Sequence, residues 1–210
     1  MIPIINRFTC REKQLEFFIQ KLNKNSINPI IDYINENPKD HYSNYLKIKN
    51  IINKYPNQHF AIKLSSFNIN KNTNIAENYL YDITEIAIDN NSKLLIDAED
   101  YLIQDKINGI SDTFMEIFNK DQVNIYKTYQ MYRTDSYQLL QNDLTKERNY
   151  FIGSKLVRGA YYNQDSKYNI LYKTINETHK NYNKGIPLFS KNCKKNDILM
   201  CATHNSRSVE

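Results

Sequence analysis

The chain has 210 residues, with 28 basic and 23 acidic side chains and a formal net charge of +5. Hydrophobic residues make up 40% of the sequence, which is enough to build a core and excludes a wholly disordered protein. The basic residues form no stripe and no apolar run approaches the roughly 20 residues of a membrane span, so we expect neither a nucleic-acid partner nor an integral membrane segment.

The predicted elements alternate between strands and helices. Apolar residues at helical spacing predict helices near residues 12–25, 42–55, 79–88, 110–118, 136–150 and 171–182. Short apolar runs predict strands near residues 29–33, 60–66, 93–99, 123–132, 155–162 and 197–203. We interpret residues 1–28 as an N-terminal helical segment and residues 29–210 as one domain of about six β/α units.

Regular alternation of this kind is typical of parallel strands covered by helices. Two folds compete, an open doubly wound sheet and a (β/α)8 barrel. A dinucleotide-binding doubly wound fold carries a glycine-rich turn after its first strand, and this chain has only 4 glycines. We therefore predict an α/β fold, an incomplete (β/α)8 TIM-type barrel with about six of the eight strands.

The stretch from Lys155 to Tyr162 begins like a buried strand, yet it contains the cations Lys155 and Arg158. One interpretation is an edge strand with solvated charges. The other is a strand whose far end faces an anionic ligand, with Gly159 allowing a flat ligand to approach the backbone.

Ionisable residues also fall in or just after other predicted strands. In a (β/α)8 barrel the active site lies at the C-terminal ends of the strands. Five strands place such residues there: Lys63, Asp97, Lys127, Lys155 with Arg158, and His204. A mostly cationic set with one acid predicts a ligand that is anionic or becomes so during a reaction.

Three cysteines are present, Cys10, Cys193 and Cys201. Their odd number and wide spacing argue against a disulfide framework and against a cysteine zinc site. We expect a reducing compartment, the cytoplasm, with the mitochondrion as the alternative. Histidines, cysteines and carboxylates show no metal-ligand spacing, so no metal is predicted.

Five short motifs follow one another along residues 29–210. They are Ile62-Lys63-Leu64-Ser65, Ile96-Asp97-Ala98-Glu99, Thr128-Tyr129-Gln130, Lys155-Leu156-Val157-Arg158-Gly159-Ala160-Tyr161 and Ala202-Thr203-His204-Asn205. In this order they resemble the motifs of the proline dehydrogenase family, the FAD enzymes of proline catabolism. The fourth motif reads as that family's hallmark.

The resemblance implies FAD bound at the strand ends and oxidation of L-proline to 1-pyrroline-5-carboxylate, with electrons passing to a quinone-type acceptor. It implies that Lys63 pairs with the proline carboxylate, and that Lys155 lies near flavin N5. The catalytic residues implied in this way are Lys63, Asp97, Lys155 and Tyr161. The implied FAD-binding residues are Lys127, Gln130, Lys155, Val157, Arg158, Gly159, Ala160, Tyr162, Thr203, His204 and Asn205.

Two departures from the family pattern stand out. Lys127 aligns with a neutral amide near the flavin pyrimidine, where a cation directed at the ring would raise the flavin potential. The family also continues beyond the position of Glu210, through two more strands, to a helix carrying an arginine pair for the substrate carboxylate. The alternatives are therefore an inactive truncated homologue, half of a split enzyme completed by a second polypeptide, or a basic nucleic-acid-binding protein.

Overall fold

The computed structural model of the chain describes residues 9–34 and 40–208. Within these ranges six strands form one sheet, in which spatial order follows chain order and every neighbouring pair is parallel. The strands are β1 Ile30–Asp32, β2 His59–Ile62, β3 Lys93–Ile96, β4 Ile125–Gln130, β5 Gly153–Val157 and β6 Ile198–Cys201. The predicted α/β fold with about six parallel β/α units is confirmed, and the sheet curls into a half-barrel.

Helices precede and connect the strands. They are α1 Glu12–Asn23, α2 His41–Lys54, α3 Thr73–Asp89, α4 Tyr101–Phe118, α5 Ser136–Thr145, α6 Tyr162–Asp165 and α7 Ile175–Asn192. No helix in the described ranges is long and apolar enough to cross a membrane.

Alternation along the strands separates two layers of side chains. Phe60, Leu94 and Leu156 pack between the sheet and the helices in the main core. The inner face of the half-barrel carries a smaller apolar cluster that includes Leu95 and Tyr126. This division leaves the inner face, beyond that cluster, free to present polar side chains at the carboxyl ends of the strands.

Helix α1 belongs to the same core as the barrel. Ile19 is buried in the main core cluster and Leu15 packs against it. The described part of the predicted N-terminal segment therefore packs on the α/β layers, whereas residues 1–8 lie outside the described ranges. The division of the chain at residue 28 stays a prediction.

Side-chain caps at the helix N-termini explain why several helices begin at residues other than those predicted. Helices α3 and α4 begin six and nine residues before the predicted starts at 79 and 110, because Asn72 and Asp100 accept hydrogen bonds from first-turn amides. Helix α7 begins with a capping box between Thr174 and Glu177 and continues through Pro187, well past the predicted end at 182.

Candidate active site

A cleft of about 370 Å³ opens where the carboxyl ends of β3 to β6 meet. Parallel strands bring their carboxyl ends to one edge, so residues distant in sequence share this space. Ten of the predicted site residues line it: Asp97, Gln130, Lys155, Val157, Arg158, Gly159, Ala160, Thr203, His204 and Asn205.

At one side of the cleft, the lining residues Asp97 and Lys155 form a charged cluster with Lys63 and Asp32, which do not line it themselves; we call this cluster the paired end. The Lys63 Nζ lies 2.5 Å from Asp32 Oδ2 and 3.6 Å from Asp97 Oδ2. The Lys155 Nζ lies 2.7 Å from Asp97 Oδ1. Two ammonium groups thus alternate with two carboxylates, and the four formal charges cancel.

The electrostatics of the paired end keep Lys63 charged. Burial lowers the pKa of Lys63, but the hydrogen bond and charge of Asp32, reinforced by Asp97, outweigh burial and hold this pKa above its ordinary value. Lys63 is therefore an ammonium group at neutral pH, able to bind a carboxylate.

The opposite side, which we call the arginine end, is built around Arg158. Its Nε donates to His179 Nδ1 at 2.8 Å, its Nη1 to Thr203 Oγ1 at 2.5 Å and its Nη2 to Ser208 Oγ at 2.9 Å. The guanidinium carbon lies 4.3 Å from the centre of the Tyr182 ring. Among the described residues no carboxylate forms an ion pair with Arg158, so its charge is held by neutral groups only.

Between the two ends, β4 contributes polar atoms that lack partners. Thr128 Oγ1 and Gln130 Oε1 are buried and have no hydrogen-bond partner among the described residues. The other end of the Gln130 amide is fixed, because its Nε2 donates to the Glu99 carbonyl oxygen at 2.8 Å. Buried polar atoms of this kind are rare unless a ligand or water satisfies them, so they indicate a ligand with polar edges.

Gly159 has a structural reason to be glycine. Its φ of +135° is one that L side chains rarely adopt, and a Cβ there would lie 2.5 Å from the Tyr132 ring. The Tyr132 hydroxyl in turn donates to Asp165 Oδ2 at 2.6 Å. The space of the missing side chain is therefore taken by Tyr132, while the Gly159 backbone lines the cleft.

Lys127 is the predicted site residue that the structure removes from the cleft. Its side chain is 1% exposed, and its Nζ lies 2.8 Å from both Asp112 Oδ1 and Asp143 Oδ2. Alternation along β4 directs Lys127 into the helix layer and leaves Thr128 and Gln130 at the cleft. The prediction that Lys127 faces a flavin is wrong for this reason.

Tyr161, the last residue of the hallmark motif, and Tyr162, which follows it, do not line the cleft. The predicted strand 155–162 ends at Val157, and Tyr162, which is 59% exposed, begins α6. Tyr161 is partly buried beside the acids of the paired end; burial, then the charges of Glu99 and Asp97, raise its pKa above the ordinary value. Its phenol is therefore neutral at physiological pH.

The edge-strand interpretation of β5 is also wrong. β5 lies between β4 and β6 and pairs with both. Its two cations have defined partners within the fold, so neither is simply a solvated charge.

Two residues next to the predicted site residues were not predicted: His179, which lines the cleft, and Asp32, which pairs with Lys63. Asp32 is the last residue of β1, so its position as an ionisable residue at a strand end was a usable signal. His179 lies inside α7, where no local pattern distinguishes it from a surface histidine. Thr128, Ala98 and Ala202 were quoted within motifs, and all three line the cleft without having been assigned a role.

Comparisons with known proteins show which family the sequence and the fold resemble. The sequence model of the family described as Proline dehydrogenase matches residues 16–210. The chain is 32% identical over 130 residues to "Proline dehydrogenase 1, mitochondrial" of Dictyostelium discoideum, covering 55% of this chain and 23% of that protein. It is 26% identical over 167 residues to "Probable proline dehydrogenase, mitochondrial" of Schizosaccharomyces pombe, covering 76% and 32%.

A solved structure shows the same fold. The crystal structure of proline utilization A (PutA) from Bdellovibrio bacteriovorus, inactivated by N-propargylglycine, superposes with a TM-score of 0.82 over 94% of this chain and 25% of that chain. Sequence identity is 15%, so this likeness concerns the fold. The chain spans about a third or less of the length of these three proteins.

Proposed function

The chain belongs to the proline dehydrogenase family, and from this premise we propose that its cleft serves the FAD-dependent oxidation of L-proline to 1-pyrroline-5-carboxylate. The observation that carries the proposal is the contrast between the two ends of the cleft. A charge-balanced cluster lies on one side and an arginine without a carboxylate partner on the other.

The residues of the arginine end fit the anionic part of FAD. A guanidinium held by neutral partners keeps its full charge for phosphate, which it binds more strongly than a neutral donor would. Thr203, His204 and Asn205 line the same side and would hold the dinucleotide portion.

The middle of the cleft fits the flavin ring. The unpartnered Thr128 Oγ1 and Gln130 Oε1 would meet polar edges of the ring, and Lys155, Val157, Gly159 and Ala160 would border it. When bound, the flavin supplies the hydride acceptor for the reaction.

The paired end fits the substrate. L-Proline is a zwitterion at neutral pH, with one ammonium group and one carboxylate. Lys63 would bind the carboxylate, and Asp97, which already contacts Lys63 and Lys155, would hold both ammonium groups in place. Tyr161 would contribute a neutral phenol beside these acids.

We further propose a quinone-type electron acceptor, as the family resemblance implies, and a reducing compartment. The three cysteines are free and exposed, which supports such a compartment. The relatives' names assign those proteins to mitochondria, which supports the mitochondrion over the cytoplasm for this chain.

A second candidate is that the chain forms part of an enzyme whose barrel is completed by a second polypeptide. The outermost strands of the described sheet, β1 and β6, each pair on one side only. Ile30 and Ile198 on these strands are 42% and 43% exposed. Unpaired strand edges with exposed apolar side chains favour addition of further strands.

Anaerobic reduction distinguishes the two candidates. The purified chain is loaded with FAD and mixed with L-proline, with D-proline as the control, while the oxidised-flavin absorbance is followed. We expect L-proline alone to bleach the flavin, and Lys155→Ala to slow the bleaching. Flavin that binds but is not reduced by L-proline would favour the second candidate, and a chain that binds no FAD would contradict the first.

A further inference from the structure

Three residues on one face of α7 hold the Arg158 guanidinium in place, two by direct contact and one through Ser208. His179 accepts from its Nε at 2.8 Å, and the Tyr182 ring lies under its guanidinium. Asn183 Oδ1 accepts at 2.8 Å from Ser208 Oγ, which itself accepts from Arg158 Nη2. Residues three and four apart on a helix lie on the same face, so one stripe of α7 fixes the guanidinium at three points.

The hydrogen bond between Arg158 and His179 defines the state of the imidazole. The Arg158 Nε always carries its hydrogen, so His179 Nδ1 must present a lone pair. The proton of the neutral ring then lies on Nε2, which belongs to a side chain that lines the cleft. His179 accepts on one side and offers an N–H group on the other.

The same contacts leave donors on Arg158 for a ligand. A guanidinium has five N–H groups, one on Nε and two on each terminal nitrogen. His179, Thr203 and Ser208 use one from each nitrogen. One N–H group therefore remains on Nη1 and one on Nη2, and each can donate to a phosphate oxygen.

We propose that His179 is a positioning residue for cofactor binding: its neutral Nδ1 fixes Arg158 so that the two remaining terminal N–H groups face a phosphate of FAD. This inference rests on the proposed function of the cleft. Without the acceptor at position 179, the partly buried Nε–H loses its partner and the guanidinium loses one of its fixed points.

The first test reads the imidazole directly, without cofactor. The chain contains four histidines, and a nitrogen NMR spectrum of histidine-labelled protein, compared with that of His179→Asn, assigns the His179 signals by difference. We expect a neutral ring protonated on Nε2 with Nδ1 as the acceptor. A ring protonated on Nδ1 would overturn the inference.

The second test separates positioning from general structure. His179→Leu removes the lone pair, whereas His179→Asn retains a side-chain oxygen near the position of Nδ1. The matched control is Lys180→Ala, which removes an exposed cation from the adjacent position of the same helix. FAD affinity is measured by quenching of flavin fluorescence, and thermal unfolding without FAD shows that each variant is folded.

We expect His179→Leu to weaken FAD binding about ten-fold. His179→Asn should recover most of this loss, and Lys180→Ala should leave the affinity within about two-fold of the unmodified chain. Equal FAD affinity in His179→Leu and the unmodified chain would overturn the inference and leave the proposed function intact. Absence of FAD binding by the unmodified chain would instead overturn the proposed function.

Discussion

The two ends of the cleft differ in whether their cations are paired with carboxylates. At the paired end, Lys63 and Lys155 are neutralised by Asp32 and Asp97 within hydrogen-bonding distance. At the arginine end, Arg158 has hydrogen-bond partners but no carboxylate among the described residues. A balanced cluster suits a ligand that carries both charges, and an unbalanced cation suits an anion. The contrast supports our proposal that substrate and cofactor bind at different ends of the cleft.

A third cation, Lys127, shows that pairing with carboxylates does not by itself mark a residue of the cleft. It is as fully paired as Lys63, with carboxylates of α4 and α5, but it lies in the helix layer. Pairing is therefore a feature of the fold as well as of the site. Lys127 and Lys63 differ in their position relative to the cleft. Lys127 therefore serves as a control for the effects expected at Lys63.

The largest effect is expected at Lys127, on stability. Lys127→Met leaves Asp143, which is 7% exposed, buried without its main cation, and should lower the free energy of unfolding by about 3 kcal/mol. Denaturant unfolding measures the loss, with the exposed Lys106→Met of α4 as the matched control. The FAD affinity of the folded protein should not change. A loss of FAD affinity without a loss of stability would indicate that Lys127 contributes to FAD binding.

The next effect is expected at Arg158. Arg158→Met removes the uncompensated charge and should weaken FAD binding about 100-fold, since hydrogen bonds to charged groups are the strong ones. Fluorescence titration measures it, with Arg207→Met, at an exposed arginine adjacent in sequence to Ser208, as the control. Unchanged FAD affinity in Arg158→Met would contradict the proposal that the arginine end binds the phosphates of FAD.

A smaller and differently directed effect is expected at Lys63. Lys63→Met should raise the L-proline concentration for half-maximal flavin reduction about ten-fold, because the substrate carboxylate loses its ammonium partner. FAD affinity should stay within about three-fold, and the exposed Lys71→Met serves as control. Equal losses of proline and FAD binding would make Lys63 a structural residue instead.

The smallest effect concerns Glu99, whose carbonyl holds Gln130 between the two ends. Burial raises the pKa of Glu99, although the hydrogen bond from Ser65 opposes this. A carboxyl whose folded pKa is raised adds stability below its unfolded pKa and loses it as pH rises through the folded value.

Stability of the unmodified chain should therefore carry a decline above about pH 4.3 that Glu99→Gln lacks. The difference between the two pH profiles should be the smallest of the effects described here. Thermal unfolding of both proteins over a pH series measures it. Parallel pH profiles for the two proteins would contradict a raised pKa for Glu99 in the folded chain.

The fold and the position of the cleft could be predicted from the sequence, because strand-helix alternation and carboxyl-end motifs are local patterns. The face on which Lys127 lies could not be predicted, since a strand slip of one residue exchanges the faces and the motif alone does not fix the register. The roles of His179 and Asp32 depend on contacts across 21 and 31 positions of the chain. Which cations are paired is likewise a tertiary property.

The most direct test of the division of the cleft compares FAD with riboflavin, which has the same ring system but no phosphate, in equilibrium titrations of the unmodified chain. We expect FAD to bind about 100-fold more tightly, and this advantage to disappear in Arg158→Met. Equal affinities for FAD and riboflavin in the unmodified chain would show that the arginine end binds no phosphate, and would contradict the account.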